Sequence, residues 1–514
     1  MSDSEKPAGH SIARDGVWLV LDNVGSAVLA VLSSIIVARV LGPTKMGYYN
    51  YVVWAAQMLR LVADFGVPFA VRRYASEERG RGNQVTVATI ARVAERFQRA
   101  MALISVGASL AFVFTVVAPE QRAYAGIIMC SVAPSLLVGV PAAVLWATGN
   151  LGASVRSSLA TATLQFVLTV AALTGGLELV GLALAMFVSR LVDVALRYRA
   201  YRKVRGSLPE PEARLPIDLR RRMFAFCWQQ SLLLAMEVII WNRSELFILE
   251  RHAEISQVAF FSLMFNLVQY PLMLPQIMAA SVGATMMVRQ GQAPETVGPL
   301  ASTSLWFVCL VAVPATFGLA AVAEPLVRLM FGSQYLPAIP VLSLLALFGV
   351  ARALSYPVIE VLCVTENQAF IVGWSFVMVL LNVALALWWI PPYGAVGAAC
   401  VKGAVQFGSL AGLWVYAARV TRLRLPLGRA LRLVVAAAAM ALCVRSFAAL
   451  VPPVVGLLLG VPLGIVVLAT MLRLTTALDT TDAERLVSLR RLLPSAVQSK
   501  YVTLLRVVVP SFAP

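Results

Sequence analysis

The segment Val144-Leu145-Trp146-Ala147-Thr148-Gly149-Asn150 returns in altered form as Val361-Leu362-Cys363-Val364-Thr365-Glu366-Asn367, and each copy closes an apolar run at a turn. Further along, Leu179-Val180-Gly181-Leu182-Ala183 matches Ala395-Val396-Gly397-Ala398-Ala399 after one residue of slip. A weaker pair, Met46-Gly47-Tyr48-Tyr49-Asn50 and Val258-Ala259-Phe260-Phe261-Ser262, opens the second helix of each half. Matches in the same order along the chain mark an internal repeat.

Working outward from these segments, apolar runs separated by polar breaks place helices near 17–38, 48–70, 99–118, 123–147, 156–176, 179–198, 223–249, 257–288, 299–322, 339–363, 369–390, 394–417, 430–450 and 453–472. Each run is close to the roughly 20 apolar residues that a spanning helix needs. The composition agrees: 60% of the 514 residues are hydrophobic, 13% are charged, and the mean hydropathy is +0.82. A water-soluble fold is excluded on these values. The expected fold is an all-α polytopic membrane protein of about fourteen helices.

The basic, proline-containing stretch 198–222 splits the first twelve helices into two sixes. Six spans return the chain to its starting side, so the two sixes share one orientation and form a parallel repeat. The expected organisation is an N-terminal six-helix bundle (1–197), a cytoplasmic basic linker (198–222), a second six-helix bundle (223–418), two additional helices (419–472) and a cytoplasmic amphipathic tail (473–514). In that tail, Arg485-Leu486-Val487-Ser488-Leu489-Arg490-Arg491-Leu492-Leu493 suits a helix lying on an anionic inner leaflet, with a partner-binding helix as the alternative.

The formal net charge of +17 comes almost wholly from arginine. In a soluble protein it would suggest nucleic acid, which is not an expected partner here. Alternate loops collect Arg72, Arg73, Arg79 and Arg81, then Arg197, Arg199, Arg202 and Lys203, then Arg419, Arg422 and Arg424. Basic loops mark the cytoplasmic side, so both termini are expected inside, in an inner (cytoplasmic) membrane. The first apolar run lacks a convincing cleavage site and reads as an uncleaved first helix. The six cysteines lie singly within apolar runs without a histidine cluster, so neither disulfides nor metal ligands are expected, and no cofactor is implied. No sizeable loop stands between spans on the opposite side, which argues against an enzyme.

The stretch Ala38-Arg39-Val40-Leu41-Gly42-Pro43-Thr44-Lys45-Met46-Gly47-Tyr48-Tyr49 is followed by Ala63-Asp64-Phe65-Gly66-Val67 and Arg72-Arg73-Tyr74-Ala75. It resembles the N-terminus of Wzx-like polysaccharide transporters, flippases of the multidrug/oligosaccharidyl-lipid/polysaccharide (MOP) exporter superfamily. Gly42-Pro43 cannot continue a helix, so the first span turns sharply there whatever the name. Phe331-Gly332-Ser333-Gln334-Tyr335 resembles a second phrase of the same transporters, and the resemblance covers about residues 12–420. It implies two six-helix bundles around a V-shaped central cavity that opens alternately to each side. It also implies a lipid-linked oligosaccharide turned over between leaflets for polysaccharide biosynthesis, such as that of lipopolysaccharide O-antigen. Membrane lipids, a polysaccharide polymerase and glycosyltransferases are the partners that follow.

Charges inside spans are costly, about 2.5–3.5 kcal/mol each on insertion scales, so each should face protein or water. Arg60 and Asp64 are spaced for an ion pair on one helical face, and Arg190 and Asp193 repeat that logic. Arg352 and Lys402 have no acidic residue within one turn of their own helices and are the sharper candidates. Arg60, Arg190, Arg352 and Lys402 are therefore the expected cavity cations for a lipid pyrophosphate, since guanidinium forks match phosphate oxygens. Helix packing and snorkelling are the competing roles. Asp64, Glu237 and Asp193 are the candidates for ion coupling, with a structural pair between Glu237 and Arg243 as the alternative. A peptidoglycan lipid-precursor flippase is the nearest rival function. A drug or cation antiporter of the same superfamily would rely on carboxylates in a less cationic interior.

Overall fold

A computed structural model describes residues 8–488, and every regular element among them is helical. Twelve helical stretches among the described residues are long and apolar enough to cross a membrane. Two exceed a single crossing: Val24–Asp64 has 41 residues and Gln368–Thr421 has 54, against the roughly 20 that suffice. Each is interrupted once, at Gly42 (φ 72°) in α1 (Ala8–Asp64) and at Gly394 (φ 53°) in α15 (Gln368–Thr421). Pro43 follows the first break, and Pro391 and Pro392 precede the second. Proline removes helical N–H donors while glycine accepts the left-handed backbone, so these positions turn the chain. Twelve stretches, two of them double, match the count of about fourteen spans.

Several helix ends differ from the sequence expectation for local reasons. The span expected over 48–70 stops at Asp64, because Phe65 and Gly66 both take left-handed backbone (φ 46° and 65°). A Cβ on Gly66 would also meet the Cys227 carbonyl at 3.0 Å. A separate helix, α2 (Val67–Gly80), starts from this break. α3 (Gln84–Val116) begins well before the expected residue 99, because its first turns are polar and hydropathy passes over them. The helix expected over 223–249 is two: α9 (Ile217–Trp241) and the short α10 (Leu246–His252).

The chain divides into two compact units, Met1–Val238 and Ile239–Pro514. The first unit also contains α4 (Arg122–Cys130), α5 (Val132–Leu137), α6 (Gly139–Ala147), α7 (Leu151–Thr174) and α8 (Glu178–Gly206). α8 carries the helix well into the basic stretch at 198–222, and α9 resumes it at Ile217. One core cluster joins Val71, Ile90, Val144 and Tyr201 from α2, α3, α6 and α8, and another joins Val52, Ile128, Leu136 and Ala183. Large apolar side chains such as Leu103 and Phe114 point outward, as a helix bathed in hydrocarbon permits.

In the second unit, α11 (Ile255–Gln292), α12 (Val297–Ala321), α13 (Ala323–Phe331) and α14 (Ile339–Val364) pack with α15. The packing uses glycine as a seat for rings: any Cβ on Gly403 would collide with Phe348, and on Gly412 with Trp374. The last two spans, α16 (Leu427–Leu450) and α17 (Pro453–Thr475), approach along Gly456, Gly460 and Gly464, which face Ala448, Val444 and Met440. Small residues four apart let helices close without side-chain interference. A short α18 (Thr480–Ser488) begins the tail, and residues 489–514, which carry the rest of the expected amphipathic helix, lie outside the described residues.

The turn repeated at residues 144–150 and 361–367 has one geometry in both units. Asn150 N–H donates to Leu145 O and Asn367 N–H to Leu362 O, each at 2.8 Å. The Thr148 and Thr365 hydroxyls donate to Val144 O and Val361 O, again at 2.8 Å. Between Thr and Asn the chain is left-handed in each copy, at Gly149 (φ 78°) and Glu366 (φ 60°).

Candidate functional site

The break at Phe65–Gly66 turns α2 away from the end of α1 and leaves a concavity of about 440 Å³ inside the first unit. Arg60 and Asp64 come from the last turns of α1, Arg72 and Phe69 from α2, Trp146 from α6, and Arg190, Asp193 and Arg197 from α8. Four arginines face two aspartates, which leaves two net positive charges on this wall.

The two carboxylates are held differently. Asp64 Oδ1 accepts from the Gln98 amide at 3.0 Å, while Gln98 Oε1 accepts from the Val140 backbone N–H at 3.0 Å. Gln98 thus ties the end of α1 to the start of α6. It fits because residue 139 is glycine: a Cβ there would sit 2.7 Å from the Gln98 amide nitrogen. Arg60 approaches Asp64 only to 4.0 Å, a loose pair. Asp193 is engaged more tightly, but by Arg197 at 2.7 Å rather than by Arg190, the partner its spacing suggested. Arg197 also donates to Ser154 Oγ on α7, so this pair is a buried cross-brace.

Arg190 has no carboxylate within ion-pair distance among the described residues. Arg60, Asp193, Arg197 and Tyr49 shape its electrostatic surroundings. A guanidinium beside two others, with no close counter-ion, is poised to take an anion. Arg72, which the sequence reading counted with the topology-setting loop charges, belongs to this wall: its guanidinium lies 4.7 Å from the centre of the Trp146 ring. Arg197 was likewise read as a loop charge. Only the turn at residues 65–66 and the helical course of α8 through the basic segment reveal their place.

The other candidates belong elsewhere. Glu237 is exposed on α9. Arg352, in the second unit, lies 4.3 Å from the Trp241 ring centre and 5.0 Å from that of Tyr356, and its Nε donates to the Tyr356 hydroxyl at 3.2 Å. Lys402 is 1% exposed and does not present its charge to a cavity. Its Nζ lies 2.8 Å from Glu245 Oε1 and donates to the carbonyls of Ile239 and Ile240, the last turn of α9. The missing acidic neighbour is supplied from the Trp241–Leu246 break, and Asn382 donates to the same Glu245 oxygen at 2.9 Å. The ammonium therefore closes the open C-terminus of a broken helix.

The polysaccharide biosynthesis protein family matches residues 12–286, more than half of the chain. The chain belongs to that family. The succinoglycan biosynthesis transport protein ExoT of Rhizobium meliloti is 26% identical over 416 residues, covering 79% of this chain and 76% of ExoT. Among solved structures, the lipid II flippase MurJ in an inward closed conformation superposes with a TM-score of 0.70 at 12% identity, covering 88% of this chain and 98% of MurJ. An inward-facing multidrug resistance MATE transporter of the MOP superfamily gives 0.63 at 14% identity, covering 76% and 92%. The fold of this chain is thus the helical fold seen in MurJ and in the MATE transporter.

Proposed function

We propose that this protein is a flippase that carries a polyprenyl-pyrophosphate-linked oligosaccharide from the cytoplasmic to the periplasmic leaflet by alternating access, in an inner membrane with both termini cytoplasmic. The observation that carries this reading is the first-unit cavity, where four arginines face two aspartates and Arg190 is left without a close carboxylate. A pyrophosphate would complete that charge balance, and the Arg72–Trp146 pair offers a flat surface beside it. Family membership and the transport role in ExoT's name support a glycan cargo such as an O-antigen or exopolysaccharide unit.

Among the carboxylates, Asp64 is the best placed for ion coupling, because its pair with Arg60 is loose while Asp193 is locked to Arg197. Arg352 is proposed as a second-unit contact for the same cargo, distinct from the structural Lys402. The test is export of the surface polysaccharide in a deletion strain complemented with Arg190→Ala, Arg60→Ala or Arg352→Ala at normal membrane levels. Arg190→Ala is expected to reduce export at least tenfold, since a charge-assisted phosphate contact contributes about 1.5–3 kcal/mol. Undiminished export would remove the residue from the site. A peptidoglycan-precursor flippase would reveal itself by arrested growth on depletion rather than by loss of a surface glycan, and a cation antiporter would gain from Arg190→Ala.

A further inference from the structure

Two shallow concavities on the first unit, of about 510 and 800 Å³, share Arg199 and Lys203 of α8. The smaller lies between α7 and α8 and adds Arg156; the larger adds Arg99 and Arg202. Among the described residues no carboxylate lines either one. The neighbouring arginines are already committed: Arg99 and Arg205 to Glu95, Arg197 to Asp193, Arg81 to Glu77 and Glu78, and Arg79 to the Ala147 carbonyl. Arg199, Arg202 and Lys203 have no carboxylate in ion-pair range among the described residues.

Topology-setting charge accounts for basic residues at this end of the helices, but not for their convergence on a groove with a polarity gradient. Arg156 lies near the start of α7 and Lys203 near the end of α8, so both occupy the same end of the bundle. One turn deeper into the span the wall becomes Ala160 on α7 and Leu196 on α8. Arg199 and Lys203 are one turn apart on one face of α8. Cationic at the membrane surface and apolar below it, the groove has the profile of an anionic amphiphile.

We infer that the α7–α8 groove binds an anionic phospholipid of the surrounding leaflet, its phosphate held by Arg156, Arg199 and Lys203 and its acyl chain lying along Ala160 and Leu196. This site is separate from the cavity around Arg190: the two share no lining residue. It requires only that the chain spans a membrane.

The test is native mass spectrometry of the full-length protein in mild detergent, titrated with phosphatidylglycerol and, in parallel, phosphatidylcholine. The wild type should bind phosphatidylglycerol preferentially. The triple variant Arg156→Ala/Arg199→Ala/Lys203→Ala should bind its tightest phosphatidylglycerol about a hundredfold more weakly, at roughly fivefold for each basic side chain near the surface. The matched control Arg214→Ala/Arg220→Ala/Arg221→Ala removes as many exposed charges from the same unit and should leave that affinity unchanged. Equal losses in both variants, or none in the first, would overturn the assignment. So would displacement of phosphatidylglycerol by millimolar inorganic phosphate, which would make the groove a free-anion site, or by an equimolar polyprenyl pyrophosphate, which would make it part of the cargo path. Arg156→Lys/Arg199→Lys retains both charges and should keep most of the binding.

Discussion

Replacing Lys402 with methionine should destabilise the second unit by about 3–5 kcal/mol, the usual cost of stranding one member of a buried ion pair. Lys402 Nζ and Glu245 Oε1 are 2.8 Å apart with side chains 1% and 0% exposed. At an effective dielectric near 20, two charges at that distance attract by about 6 kcal/mol, and desolvating the two ions offsets most of it. The intact pair therefore adds little net stability, while the broken pair is expensive. Without Lys402 the Glu245 carboxylate would keep Asn382 as a donor to Oε1, and its Oε2 already has no hydrogen-bond partner among the described residues. Neutralising the partner as well, in Lys402→Met/Glu245→Gln, should restore much of the loss. A deficit of about 1–3 kcal/mol would remain, because the Ile239 and Ile240 carbonyls lose their donor. The assay is unfolding in mixed detergent and dodecyl sulfate micelles, followed by circular dichroism, for wild type, both single variants and the double. A double variant no more stable than Lys402→Met would show that the ammonium acts only as a helix cap and that the charge argument is wrong.

Four further substitutions probe the first unit and the repeat. Gly149→Ala should cost about 1 kcal/mol and Glu366→Gly should gain a similar amount, because both positions hold left-handed backbone (φ 78° and 60°) that glycine alone adopts freely; the same micelle titration reads both. Gln98→Leu strips a hydrogen-bond partner from Asp64 and from the Val140 N–H together, and should destabilise the first unit by about 1–3 kcal/mol, visible as faster proteolysis near residues 64–68. The Asn83 amide, and then Arg81, hold the Glu78 carboxyl below its ordinary range against the opposing effect of burial. Its contribution to stability is therefore present above the ordinary carboxylate range and is lost as pH falls through the lowered value. Glu78→Gln should thus be less stable than wild type at neutral pH, with a difference that shrinks on acidification; a gap that is flat with pH would exclude the linkage.

Gly42-Pro43 was legible as a turn because neither residue can continue a helix, and Gly394 after Pro391-Pro392 obeys the same rule. The pairing of Asp193 was misassigned because an arginine three residues before it and another four residues after it satisfy the same helical spacing. Which one bonds depends on Ser154 of α7, which orients Arg197 from across the groove. Lys402 looked unpaired because its partner sits on a different element of the unit, at a break that hydropathy alone read as continuous helix. Arg72 looked topological because arginine after a span has that role by default, and only the left-handed pair Phe65–Gly66 folds it back against Trp146.

What the sequence by itself determined is the part of the physics that depends on length and composition. Apolar runs matched to bilayer thickness number the spans, proline and glycine mark where they turn, and the Val144–Asn150 and Val361–Asn367 segments disclose the repeat whose hydrogen bonds recur at 2.8 Å in both units. What only the tertiary structure decided is which charges meet. Within a low-dielectric bundle an arginine is a bracing group, a helix cap or an anion site according to the carboxylates and carbonyls that other helices bring within about 4 Å, and that distance is set by packing between segments far apart in the chain. Arg190 lacks a close carboxylate because Asp193 is held by Arg197 at 2.7 Å instead.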